Sequence, residues 1–355
     1  MKDAYAAKSL QRITQFLDRP DFNGFTTEDL FIKQFVPKGW GQDIAALSNM
    51  AEAIRNLCRQ GEIAQSEAGT YLDKIYQCAT SPSVRPWKTP ISADISFGGH
   101  GYFLEHLNVI LGCFQEVVDD RHAALNRRIS EHLIAISLEH PLRHARLLPN
   151  VKMRWSADQA AVLYSVWLFD QNNQTTLHEK AAREWLHIME TKLTHEPTDL
   201  FRTEALGVKR YSRQPRGCSS AYMIYYMSHF APDHAALQWE KFKAAMLARS
   251  CGMTGFREYL PDFAGKWTPD SGPIVAGIGV AASALAIKAA GAIGDTEVQR
   301  DLITSAGRAA RVLRTIGQIP GADRFTRLAT DLLASSIYLS GSTTCARINQ
   351  TALAA

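Results

Sequence analysis

A chain of 355 residues with 46% apolar content is long enough to bury a large core, as one to three domains of ordinary size. Its 39 basic and 35 acidic residues leave a net charge of +4 with no basic block, which excludes the electrostatic footprint of a nucleic-acid binder. The six cysteines, Cys58, Cys78, Cys113, Cys218, Cys251 and Cys345, form no CxxC or Cys/His cluster, so neither structural zinc nor a disulfide scaffold is expected and they read as small buried hydrophobes.

In chain order, "MKDAYAAKSLQRITQFL" has apolar residues at helical spacing broken by Lys8 and Arg12, which is a helix and not a secretory leader. On this reading the protein is cytoplasmic, with residues 1–39 as an N-terminal helix and loop extension. In "DIAALSNMAEAIRNLCRQG" the positions Ile44, Leu47, Met50, Ala51, Ile54 and Leu57 make one stripe, closed by Gly61. Similar units follow in pairs: "YFLEHLNVILGCFQEVV" with "AALNRRISEHLIAISLEH", "SADQAAVLYSVWLFD" with "LHEKAAREWLHIMETKL", and "GCSSAYMIYYMSHF" with "DHAALQWEKFKAAMLARS". The Gly-rich run over 272–294 pairs with "DTEVQRDLITSAGRAARVLRTIG", and "DRFTRLATDLLASSIYL" begins a last pair. Five glycines and Lys288 within that Gly-rich run suit a closely packed interior helix better than a membrane span. Strand patterns are nearly absent.

Each pair joins a mostly apolar helix to a charged amphipathic one, an inner helix followed by an outer helix. The apolar helices start near 43, 102, 156, 217, 272 and 323, which are 51 to 61 residues apart. Six such hairpins predict an all-α fold, an (α/α)6 toroid, as a single domain over 1–355 with the N-terminal helix completing the outer ring. An open superhelical array is the competitor, but the loops over 81–101, 141–155, 194–216 and 251–271 are long, as expected of a walled pocket.

In a toroid the N-termini of the inner helices converge on one end, where their dipoles favour anions and polar ligands. There the sequence places Trp40 and Asp43, then Tyr102 and His106 beside His100 and Glu105, then Trp155 and Asp158. Tyr211, Arg216 and Cys218 follow, then Tyr259, Trp267 and Asp270, and last Asp323 and Arg324. Aromatics offer flat walls, and paired carboxylates or a carboxylate with histidine move protons. Asp and Ser also cap helices routinely, which is the competing role for Asp43, Asp270 and Asp323. Ser156 is the more natural cap of its helix, which puts Asp158 at the second helical position, where it either complements the helix dipole or projects into the barrel mouth. His106 lies one turn after Tyr102 on the same face. A helix N-terminus would lower the Cys218 thiol's pKa, and Arg216 would bind an anionic group. The run "KWTPDSGPIVAGIG" lacks GxxxxGK[ST], so no nucleotide site is expected there.

The motifs "GYFLEHLNVILGCF", "WSADQAAVLYSVW", "RGCSSAYMIYYM" and "REYLP" followed by "DSGPIVAGIGVAASALAI" resemble, in order and spacing, the bacterial linalool dehydratase/isomerase-like domain family over most of residues 40–295. The resemblance implies an (α/α)6 barrel and cofactor-free acid/base removal or migration of water on an allylic alcohol. It also implies a homo-oligomer in which the adjoining subunit contributes to the site. His106 matches the family's histidine by spacing, and Asp43 corresponds to a residue on the N-terminal loop. Asp158 stands near one of the family's cysteines, a departure at a central position.

The leading expectation is therefore a metal-free, cofactor-free acid/base enzyme that hydrolyses or eliminates on a saccharide-like polar substrate. Asp158 and Asp270 are its acid and base, His106 and Tyr102 assist, and Asp43 is a further candidate. Arg216, Cys218, Trp40, Trp155, Trp267, Tyr211 and Tyr259 line the substrate cleft. The alternatives are a hydro-lyase or isomerase of a small alcohol, and a non-catalytic helical binding scaffold.

Overall fold

The structure, a computed structural model, describes residues 3–36, 41–91, 95–263, 265–266, 268–316, 327–328 and 330–346. Six helices form an inner ring: α2 (Gln42–Arg59), α4 (Gly101–Val117), α6 (Ser156–Asn173), α8 (Gly217–Phe230), α10 (Val280–Ile293) and α12 (Leu332–Thr343). Each packs on the next, and α12 returns to α2, so the ring closes. Outside it lie α1 (Ala4–Leu17), α3 (Gln65–Thr80), α5 (Ala123–Glu139), α7 (Glu179–Lys192), α9 (Pro232–Met246) and α11 (Thr296–Ile316). Helix α1 rests on α12 and reaches α3 and α11, the position that completes the outer ring. This closed double ring is the (α/α)6 toroid that the spacing predicts, and an open array is ruled out.

The two rings differ in how their helices are buried, and that difference follows from composition. Helix α2 buries its apolar stripe together with Asn49, Glu52, Arg55 and Asn56, because one face meets the outer helices and the other the barrel interior. An outer helix such as α1 buries a single stripe, Ala6, Ser9, Ile13, Phe16 and Leu17. Burial of so much apolar surface, at roughly 25 cal/mol per Å², is the main force holding the rings together.

The first four inner helices begin within a residue of the expected positions. The fifth begins eight residues later than expected, at Val280, because residues 274–279 form a hairpin instead, β8 (Ile274–Val275) against β9 (Ile278–Gly279). Its turn needs left-handed backbone at Ala276 and Gly277, φ 51° and 81°, which a helix cannot contain. The sixth begins at Leu332, with Asp331 as its N-cap accepting from the Ala334 amide at 2.9 Å. Asp323 and Arg324 lie outside the described residues.

The other strands are equally short. β1 (Met153–Trp155), β4 (Glu204–Leu206) and β5 (Arg210–Tyr211) make one antiparallel sheet in the order β1-β4-β5. β2 (Thr194–His195) pairs with β3 (Leu200–Phe201), and β6 (Leu247–Ser250) with β7 (Met253–Phe256). All lie in the loops that lead into α6, α8 and α10, where they stiffen one end of the barrel.

None of the described helices is long and apolar enough to cross a membrane. All six cysteines are free, and Cys78, Cys113 and Cys218 are buried as expected. Cys251 is exposed, a departure explained by its place in the tight β6–β7 turn, where its φ is 50°.

Candidate active site

Helix N-termini do converge on one end of the ring, but the leading amides of α4, α6 and α8 are already used. The Gly101 and Tyr102 amides donate to Arg146 O at 3.1 Å and Leu147 O at 3.0 Å, in the loop that leads into α6. Ser156 donates its amide to Thr203 O at 3.0 Å and its hydroxyl to Arg202 O at 2.8 Å, in the loop that leads into α8. Gly217 donates to Glu258 O at 2.8 Å, in the loop that leads into α10. These three mouth loops thus cap the preceding inner helices, satisfying donors that a helix start leaves free. At these three helix starts the expectation of an open anion site is corrected on that ground.

These loops wall a cavity of about 210 Å³ on the barrel axis. All six inner helices contribute to it: Gln42, Ala45 and Asn49 from α2, Tyr102 from α4, Asp158 from α6, Cys218 and Tyr222 from α8, Leu285 from α10, and Leu333 and Ile337 from α12. Trp155, Leu147, Leu148, Arg216, Pro269 and Asp270 come from the loops. Tyr102 can lie across the start of α2 because Gly41 precedes that helix with φ 83°; a β-carbon there would stand 2.4 Å from the Tyr102 ring.

Asp158 is the third residue of α6, since Trp155 is the cap and Ser156 the first helical residue. Burial, reinforced by the charge of Asp270, raises its pKa to about 7. The Asp270 carboxyl is also raised by burial, but its side chain is 49% exposed and the Arg216 guanidinium, 3.9 Å away, opposes the rise. Two carboxyl groups thus face one cavity, both raised by burial, and only Asp270 has a guanidinium beside it to oppose the rise. Burial, and then the charge of Asp158, raise the Tyr102 pKa well above the usual phenol value and keep it neutral.

Arg216 precedes α8 and is almost fully engaged. Its Nε donates to Glu258 Oε1 at 2.9 Å and its Nη2 to Thr268 Oγ1 at 2.8 Å, while Nη1 stands 3.5 Å from Glu204 and 3.9 Å from Asp270. Glu258 also accepts from the Cys218 amide at 3.0 Å and the Cys218 thiol at 3.1 Å. The carboxylate at the start of α8 is thus supplied by the protein. Burial and the Glu258 charge push the Cys218 thiol up, opposite to the thiol activation expected from a helix N-terminus.

Other candidates stand elsewhere. Asp43 pairs with Lys33 at 2.9 Å, and its neighbours Gln42 and Ala45 line the cavity in its place. Tyr211 is in the β4–β5 hairpin, its hydroxyl donating to Val208 O at 2.8 Å. Tyr259 lies behind the site, donating to Lys266 O at 2.8 Å, with Arg216 6.0 Å from its ring centroid. His106 is buried beneath Tyr102, their ring centroids 4.8 Å apart. Burial lowers its pKa to about 3. Trp40 and Trp267 lie outside the described residues.

Sequence reasoning assigned no role to Glu258, Asn49 or Tyr222, and placed Glu105 at the mouth only as a neighbour of His106. A lone glutamate in "FREYLP" carries no spacing signal, and only contact with Arg216 and Cys218 singles it out. Tyr222, Tyr225 and Tyr226 do carry one, three phenols at i, i+3 and i+4 on an inner helix. Behind the cavity Lys288 Nζ donates to Asn49 Oδ1 at 3.0 Å and Glu52 Oε2 at 2.5 Å, and Glu52 Oε1 accepts from Tyr164 and Tyr225. Among the described residues no group of three or more His, Cys, Asp or Glu could hold a metal ion.

No protein family and no curated protein matches the sequence. Solved structures do match its fold. A family 76 glycoside hydrolase (mannosidase) from Bacteroides thetaiotaomicron superposes with a TM-score of 0.60 at 10% identity, covering 98% of each chain. An inactive variant of the family 76 α-1,6-mannanase of Salegentibacter sp. HEL1_6, made by two aspartate-to-alanine changes and solved with α-1,6-mannotetrose, gives 0.54 at 11%, covering 97% of this chain and 98% of that one. A D-mannose isomerase gives 0.54 at 10%, over 86% and 85%. The chain has the (α/α)6 barrel of these enzymes. The resemblance to the linalool dehydratase/isomerase-like family is supported as to the barrel, and the solved structures described here do not carry it further.

Proposed function

We propose that the chain is an acid/base enzyme that cleaves a neutral saccharide, with Asp158 as general acid and Asp270 as base. The observation that carries this reading is the pair of carboxyl groups lining one cavity, Asp158 protonated up to about pH 7 and Asp270 raised by burial with the Arg216 guanidinium opposing that rise. Asp158 would protonate the leaving oxygen while Asp270 takes a proton from water or attacks directly, as carboxyl pairs do in glycoside hydrolysis. Trp155, Tyr102 and Tyr222 offer flat surfaces for a sugar ring. Arg216 is committed to Glu258, Glu204 and Asp270, so the site favours an uncharged sugar over a uronate. The structural neighbours act as an analogy of fold, and mannosides are the first substrates to try.

A second reading is supported by the aliphatic part of the wall, Leu147, Leu148, Leu285, Leu333 and Ile337, which suits a small hydrophobic alcohol. The same acid could then protonate a leaving hydroxyl, the chemistry of a hydro-lyase.

Both readings are tested by screening α- and β-linked mannosides beside allylic alcohols, with the Asp158→Asn protein as control. Turnover of a saccharide that Asp158→Asn abolishes supports the first reading. Turnover of alcohols alone selects the second, and turnover unaffected by Asp158→Asn removes Asp158 from the mechanism.

A further inference from the structure

Glu105 is on α4, one residue before His106, and has no exposed surface. Neither of its carboxyl oxygens has a hydrogen-bond partner among the described residues, and nor does Nε2 of His106. These unpartnered groups face one another, Glu105 Oε1 standing 3.9 Å from His106 Nε2. On the other side of the ring, Ser48 Oγ lies 2.7 Å from His106 Nδ1 and 3.1 Å from Ala45 O, its hydroxyl donating to that carbonyl.

One placement of the protons uses both Ser48 contacts. A serine hydroxyl has one hydrogen, and with Ala45 O receiving it, Ser48 Oγ accepts from Nδ1–H. A neutral imidazole then leaves Nε2 with a bare lone pair directed at Glu105. An anionic carboxylate with no donor in a core costs far more than a neutral acid, whose O–H needs one acceptor. The bare Nε2 is that acceptor, within reach of a small rotation about the Glu105 side chain.

We propose that Glu105 is a positioning residue that stays a neutral carboxylic acid, donating its proton toward His106 Nε2 from behind the active site. The proposal rests on the reading of Asp158 as the acid. Among the groups facing Glu105, Asp158 and Tyr222 interact with it electrostatically, and Tyr102 does so from its own helix. Because Glu105 carries no charge, Asp158 can give up its proton without a second anion beside it. Burial, then the Asp158 charge, drives the Glu105 pKa far above the usual carboxylate range, in keeping with this arrangement. The donated hydrogen bond also fixes the His106 ring, against which Tyr102 packs.

The test is infrared spectroscopy of the full chain, which needs no substrate and so separates failure here from failure of the catalytic reading. At pH 8 the wild type should show the carbonyl stretch of a buried protonated carboxyl, lost in Glu105→Gln and kept in Asp158→Asn. In Asp158→Asn the pH at which that band disappears should move down, because the neighbouring charge is gone. If Glu105→Gln does not fold, this titration still decides. Absence of the band in the wild type, its survival in Glu105→Gln, or an unmoved midpoint in Asp158→Asn overturns the proposal. Once a substrate is known, Glu105→Leu should lower turnover about tenfold and Glu105→Gln, a neutral donor of the same shape, should restore most of it. Equal losses in both would overturn it.

Discussion

Around Arg216 three carboxylates stand at 2.9, 3.5 and 3.9 Å, and the nearest of them is the buried Glu258. Replacing Arg216 by methionine keeps the volume and strands Glu258, so a loss of about 3–5 kcal/mol is expected in chemical denaturation. At Asp158 the expectation has the opposite sign. Its folded pKa of about 7 lies above the unfolded value of about 3.9, so between these the folded chain keeps a proton that the unfolded chain releases. Stability is therefore lost as pH rises from about 4 toward 7. Asp158→Asn removes that loss and should raise Tm by a few degrees at pH 8 and by much less at pH 4, measured by calorimetry. On the proposed role of Asp158 as general acid, the same titration sets an upper limit on activity: kcat/KM should fall as pH passes about 7 and Asp158 loses its proton. Asp158 was legible in the sequence because it sits beyond the cap of an apolar helix. Glu258 was not, because its contacts with Arg216 and Cys218 exist only once the ring has closed.

Helices were the most legible feature, and the reason is that inner and outer helices carry different apolar patterns over whole turns. Four inner starts, near 43, 102, 156 and 217, correspond to observed starts at 42, 101, 156 and 217. The hairpin before α10 escaped notice because strands of two residues have no periodicity to read. How the loops seat the helices is equally invisible from sequence, and two glycines measure it. At Gly217 a β-carbon would lie 2.0 Å from the Arg257 carbonyl oxygen, backbone that cannot swing aside. Gly217→Ala should therefore cost about 1–3 kcal/mol and displace the Cys218–Glu258 contact. Gly307, within α11, has nothing within 4 Å of its would-be β-carbon. Gly307→Ala should be stabilising by up to about 1 kcal/mol from helix propensity alone. Urea denaturation of both variants compares a seat at the mouth with an open outer face.

The closed ring has a polar girdle through its middle as well as an apolar wall. Glu52 of α2 accepts from Tyr164 of α6, Tyr225 of α8 and Lys288 of α10, so four of the six inner helices meet at one buried carboxylate. Lys288 also sits 4.2 Å from the Tyr225 ring centroid, where the π face favours a cation. From sequence, Lys288 indicated only that its helix does not suit a membrane; its partner lies 236 residues away. A buried ion pair of this kind adds little net stability over an apolar replacement, but losing one member leaves an uncompensated charge. Lys288→Met should consequently cost about 3–5 kcal/mol and Glu52→Gln a comparable amount, while the double variant should recover much of the loss. If the pair instead sets the register of the ring, the double variant will be stable yet will have a misshapen cavity. Denaturation therefore reads the energy of the pair, and turnover of the double variant reads its geometry. Because Asn49 both lines the cavity and accepts from Lys288, activity should fall further than stability in the double variant.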